Sequence, residues 1–195
     1  MNLHTEMTDA ADAAARTVAN VDAGQFGRPT PCTEWDVQTL LNHLIVWTSF
    51  SLEARANGES VGQDVIDRDF AADSDFAAIY RAQLDRALAA WADPAVWERS
   101  LNVMGSPTPA ADVAALNIAE MVLHGWDLAA ATGQAYRVSD RAAAAALRAV
   151  EANAELFRQY KGFSDAVDVP PTASVLDQVL GLSGRVPSWT PASGA

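Results

Sequence analysis

The segment from Val113 to Leu128 reads as a buried helix, yet it carries two acids and an imidazole on its inward stripe. At about 100° per residue, Glu120, His124 and Asp127 share one face with Val113, Leu116 and Ala131. Burying such groups is costly unless they are paired or bound to a metal. Any fold for this chain must therefore bring partners to that stripe.

The rest of the sequence favours an all-α fold. Alanine is frequent and comes in helix-compatible runs such as the one from Arg141 to Leu147, while β-branched residues are scattered. The spacing predicts helices at roughly 5–22, 35–57, 74–92, 108–131 and 140–161, with a last short helix at about 173–181. Thr33-Glu-Trp-Asp36 has the form of a capping box opening the second helix. Asp73 or Ser74 is expected to cap the third helix. Thr108 is expected to cap the fourth, with Pro109 at its first position. Ser139 is expected to cap the fifth, Gly133 to end the fourth and Gly162 to end the fifth.

Residues 58–72 read as a polar linker, 95–107 as a short extended piece, and the tail from Arg185 to Ala195 as irregular. Core helices over roughly 5–161, followed by a short helix and tail over 170–195, suggest one domain spanning 1–195. The expected architecture is an antiparallel helical bundle, and its long links imply at least one crossover.

Composition excludes several classes. The net charge is −12 and Lys161 is the only lysine, so there is no basic surface for nucleic acid. Anionic membranes would be repelled, and no apolar run approaches the ~18 residues of a membrane span. The start has neither a basic n-region nor an apolar h-region, so a soluble cytoplasmic protein is expected. Cys32 is the one cysteine, which excludes an internal disulfide.

Glu120 and His124 are i, i+4 neighbours, a spacing that suits two ligands of one metal. His43, on the second predicted helix, reads by itself as a satisfied, partly buried histidine; as the only other non-terminal histidine it is also the candidate third ligand. Two histidines, a glutamate and an open position form a known catalytic zinc arrangement. The alternative is a Glu120–His124 hydrogen bond on a partly exposed face. Asp127 is either a fourth ligand or a partner that orients a ligating imidazole. His4 falls in an end expected to fray. Cys32 reads as a small buried residue or a reactive thiol, and Asp36 as a cap. Trp35, Trp47 and Trp126 read as core, with a pocket lining as the alternative. Asn42 and Asn117 are weak candidates for orienting a ligand.

The strings Thr30-Pro-Cys-Thr-Glu-Trp-Asp-Val37, Leu40-Leu-Asn-His-Leu44 and Glu120-Met-Val-Leu-His-Gly-Trp-Asp-Leu128 resemble one family. It comprises the DinB-like, single-domain actinobacterial relatives of the metal-binding domain of mycothiol-dependent maleylpyruvate isomerase. Leu176–Leu182 and Pro187–Pro191 also fit it. The resemblance implies a DinB-type four-helix bundle with additional short helices and a divalent metal (zinc, nickel or iron) on His43, Glu120 and His124. It further implies mycothiol as the thiol, a small electrophile as its partner, and a homodimer. The isomerase has a further C-terminal domain, which this chain is too short to contain, so its own reaction is not carried over. The implied activity is a metal-dependent mycothiol transferase or isomerase. Two alternatives stay open: a hydrolase using metal-bound water, and a non-enzymatic metal- or small-molecule-binding stress protein.

Overall fold

A computed structural model describes residues 2–103 and 105–191. Met104, within the predicted extended piece, and the end of the tail at 192–195 lie outside the described residues. The helices are α1 (His4–Val18), α2 (Val37–Ile45), α3 (Ser51–Asn57), α4 (Gln63–Ile66), α5 (Phe76–Trp91), α6 (Ala110–Thr132), α7 (Asp140–Gln159) and α8 (Val175–Leu182). A hairpin of β1 (Ser100–Val103) and β2 (Ser106–Pro109) precedes α6. The fold is the expected DinB-type four-helix bundle with additional short helices.

The bundle is a ring. α1 packs on α5 and α6, and the α2–α3 rod packs on the same two helices from the opposite side. The successive helices α1 and α2 therefore sit diagonally, and residues 19–36 cross one end of the bundle. That crossing carries Cys32 and Trp35 to the start of α2. α7 lies outside the ring on α1 and α6, and α8 packs on α7. The buried alanines 142, 145, 146 and 149 face inward on α7, and their small side chains permit close helix approach. One apolar core runs from Leu3 to Leu180, centred on Met7, Leu41, Leu44, Tyr80, Trp91 and Ile118.

Between α2 and α3 the helix widens into a π turn at Val46–Phe50, one turn beyond His43. Thr48 and Ser49 donate back to the carbonyls of Leu44 and Ile45. The Asn117 amide donates to the Trp47 carbonyl at 3.2 Å. Single π turns of this kind recur beside functional sites.

Several expectations need correction. Asp36, not Thr33, caps α2: its carboxylate accepts from the Thr39 amide at 2.8 Å. α5 starts after Asp75, with no side-chain cap from Asp73 or Ser74. Thr108 belongs to β2, and Pro109 precedes α6 rather than opening it. Hairpin pairing to Ser100 and Leu101 decides those residues, a cross-strand term that helical spacing does not contain. Residues 58–72 are more than a polar linker. They include α4 and a 3-10 turn that buries Phe70 completely. His4 does not fray, because it opens α1 and its Nε2 meets the Leu88 carbonyl at 2.9 Å. α1 ends at Val18 and α7 at Gln159, each short of its predicted end. Ser139 and Gly133 occupy their expected cap positions.

Candidate metal centre

His43 projects from the last turn of α2 and meets α6 at Glu120. Its Nε2 is 3.0 Å from Glu120 Oε2, and His124 Nε2 is 3.4 Å from the same oxygen. One donor atom from each of His43, Glu120 and His124 lies within 4.8 Å of the other two. The imidazole centroids are 4.8 Å apart. Trp35 stacks beside both rings at 4.6 and 5.4 Å. It thus joins the pocket lining, whereas Trp126 is buried in the core and Trp47 packs against it.

Behind His124 stands a buried ion pair. His124 Nδ1 is 3.0 Å from Asp127 Oδ2. Arg185 grips the same carboxylate with both arms, Nε to Oδ1 at 2.8 Å and Nη2 to Oδ2 at 2.7 Å. The Asp127 side chain is 0% exposed and that of Arg185 is 8% exposed, so neither charge is shared with water. Burial would push the Asp127 carboxyl up, but the guanidinium and the His124 hydrogen bond hold it below the usual range. The turn that delivers Arg185 depends on Gly184, whose φ of +85° lies in the left-handed region. A β-carbon there would also come within 2.8 Å of Ser164. Arg185 further donates to Ser183 Oγ at 3.1 Å.

This arrangement fixes the His124 tautomer. Asp127 is ionised and can only accept, so Nδ1 carries the proton. In the neutral ring, Nε2 then presents its lone pair to Glu120 Oε2. Two lone pairs facing each other at 3.4 Å call for a cation between them or a charged ring. A ligating histidine has this arrangement, with one nitrogen free for metal and the other held by a carboxylate. The donor set therefore suits a divalent cation. Burial pushes Glu120 up, but His124 and His43 overcome it and hold its carboxyl at about 2. Its side chain is 41% exposed, which opens the centre to a cleft of about 530 Å³.

The cleft is walled by the 31–35 loop, Leu123, Phe157, residues 161–164 and residues 183–185. Cys32 lines it, but burial and then Asp127 push its thiol up to about 11. That is the wrong direction for a nucleophile. Alkylation of Cys32 by iodoacetamide near neutral pH is expected to be on the order of 100-fold slower than for a free thiol. A Cys32→Ala variant should match the parent in metal content by elemental analysis.

Asn42 lies away from this centre and ties α2 to Asp69 and Ala71. Asn117 sits one turn before Glu120 but bonds to Trp47 rather than to a histidine. Sequence reasoning missed Arg185, which falls in a tail without periodicity. The signal available was the demand itself: a fully buried Asp127 needs a countercharge.

Residues 7–129, more than half of the chain, match the family model described as the mycothiol maleylpyruvate isomerase N-terminal domain. Two uncharacterized proteins of Mycobacterium tuberculosis strains, MT0763 and Rv0738, are each 29% identical over 187 residues, covering 90% of this chain and 93% of the relative. The crystal structure of the mycothiol-dependent maleylpyruvate isomerase superposes with a TM-score of 0.65 at 16% identity, covering 96% of this chain and 91% of that one, which corrects the expectation that the isomerase carries a whole further domain without a counterpart here. A histidine-to-alanine mutant of that enzyme superposes at 0.60 and 14% identity, covering 94% and 91%. At these identities the structural likeness carries the fold alone.

Proposed function

The chain belongs to the mycothiol maleylpyruvate isomerase N-terminal domain family, and from that premise we propose a metal-dependent thiol transferase or isomerase. In this reading His43, Glu120 and His124 hold one divalent ion: zinc, nickel or iron. The co-substrate is a low-molecular-weight thiol, with mycothiol suggested by the family and by the name of the isomerase neighbour. The second substrate is a small electrophile.

The observation that carries the proposal is the convergence of three donor atoms at one point, with the His124 tautomer already set. A bound divalent cation would lower the pKa of a thiol or water that reached it. The chain's own residues do the rest. Asp127 and Arg185 orient His124, and Trp35 restrains both imidazoles against rotation. Glu120 keeps its negative charge facing the cleft. The cleft walls shield the reacting groups from bulk water. The raised Cys32 thiol supports an external thiol over a protein one.

No helix among the described residues is long and apolar enough to cross a membrane. We place the reaction in the cytoplasm, where a low-molecular-weight thiol would be available, and propose a homodimer on family grounds.

Elemental analysis of untreated protein is expected to find about one divalent ion per chain. Turnover of an electrophile panel should then require added mycothiol. Metal-free protein as purified, or turnover that proceeds equally without any thiol, would overturn the reading. The second result would point instead to hydrolysis.

A further inference from the structure

We propose that Lys161 is the anion-recognition residue of the cleft, selecting an electrophile that carries a carboxylate on an apolar body resting against Phe157 and Phe163. This rests on the cleft being the electrophile's site.

Lys161 stands out on three independent grounds. It is the only lysine of the chain. Among the described residues it is the only non-glycine with positive φ, at 60°. It also lines the same cleft as His43 and Glu120. A side chain with a β-carbon loses free energy in the left-handed region, where glycine or asparagine is the easy solution. Here glycine follows at 162, yet lysine occupies the strained place.

The surroundings enforce this backbone. The Lys161 amide donates to the Arg158 carbonyl at 3.0 Å, and the Gly162 amide to the Phe157 carbonyl at 2.8 Å. Phe157 and Phe163 close the turn edge to face at 5.0 Å. Arg158 ties it to the Leu182 carbonyl at 2.7 Å. The two amide bonds are the closing pair of a helix C-terminal cap, so the cap accounts for the positive φ, and its bearing on function is that it places Lys161 on the cleft.

Charge supplies the ligand's polar end. The other cation of the lining, Arg185, is committed to Asp127. Among the described residues no carboxylate lies within ion-pair distance of the Lys161 ammonium. Lys161 is therefore the uncommitted cation of the cleft, in a chain whose net charge is −12. Glu34 also lines the cleft, on the loop before α2.

Shape supplies the apolar end. Phe157 and Phe163 face the cleft together with Leu123 and Trp35. The large hydrophobic side chains exposed among the described residues are Leu156, Tyr160 and Val186. Each is next in sequence to a cleft-lining residue. A cleft of about 530 Å³ is in the range of small-molecule sites.

The test is calorimetric titration of the protein as purified with phenylbutyrate, phenylbutanamide and succinate. Phenylbutyrate should bind about 10-fold tighter than its neutral amide, and tighter than succinate. Lys161→Asn, which tolerates the backbone, should bring acid and amide to near equality with metal content unchanged. Lys161→Arg should keep the preference. Lys161→Gly, which suits the left-handed position, should lose the same preference. Equal binding of acid and amide by the parent, or an undiminished preference in Lys161→Asn, overturns the role of Lys161. Succinate binding as tightly as phenylbutyrate overturns the apolar body. None of these readouts uses thiol turnover, so their failure leaves the metal content and thiol dependence of the proposed reaction standing.

Discussion

Replacing His124 by alanine is expected to weaken divalent-metal binding by more than about 100-fold, because loss of a ligand should exceed the 10–100-fold typical of an outer partner. The reason is geometric. His124 contributes one of three donors, and it is the one whose free nitrogen is fixed by Asp127 at 3.0 Å. Its removal leaves Glu120 and His43 as a two-point site, open to water through the exposed face of Glu120. Elemental analysis after dialysis against a weak chelator measures the effect. The helix itself should survive, since alanine is the best helix former. Unchanged circular dichroism with lost metal separates this outcome from unfolding. Retention of a full equivalent of metal would remove His124 from the ligand set.

The second large effect concerns the pair behind His124. Arg185→Met leaves a fully buried Asp127 carboxylate without its countercharge. Breaking a buried pair from one side costs about 3–5 kcal/mol. For a chain of this size, that lowers Tm by roughly 6–20 °C. Replacing both partners, Asp127→Leu with Arg185→Met, should recover much of the stability, since apolar substitutes for buried pairs are often neutral. Metal affinity should nonetheless stay about 10–100-fold down, because His124 has lost the carboxylate that orients it. A double variant that regained stability and metal affinity together would show that the pair only holds the fold.

The same pair gives stability a defined pH response. The Asp127 carboxyl is held below its ordinary value in the folded protein. Its contribution is therefore complete above the unfolded-state pKa of about 4 and is lost as pH falls through the lower folded value. Acid melts of the parent should steepen in that window, and the double variant should lack this component.

Much of the bundle was legible in local chemistry. The apolar spacing of residues 37–52 and 113–131 marked the rods that carry the centre, and Ser139 and Gly133 marked helix ends. The i, i+4 pair of Glu120 and His124 was legible for the same reason, since helical geometry alone makes them neighbours. Errors gathered where a contact outside the helix itself decided the outcome. Pairing with β1 took Thr108 and Pro109 out of the helix. Burial of Phe70 folded part of the supposed linker. The Leu88 carbonyl held His4 in place.

The sequence by itself determined an acidic, helical chain with a costly polar stripe on one buried helix, and it named the histidine on another helix able to meet that stripe. Only the tertiary structure decided what satisfies Asp127. Arg185 lies 58 positions away and reaches it through a glycine turn outside any periodic element. The tertiary structure also brought Lys161 and the Phe157–Phe163 pair to the mouth of the same cleft. Periodicity reports which face of a rod is buried. It does not report which loop closes over that face, because loop closure is set by the packing of elements far apart in the chain.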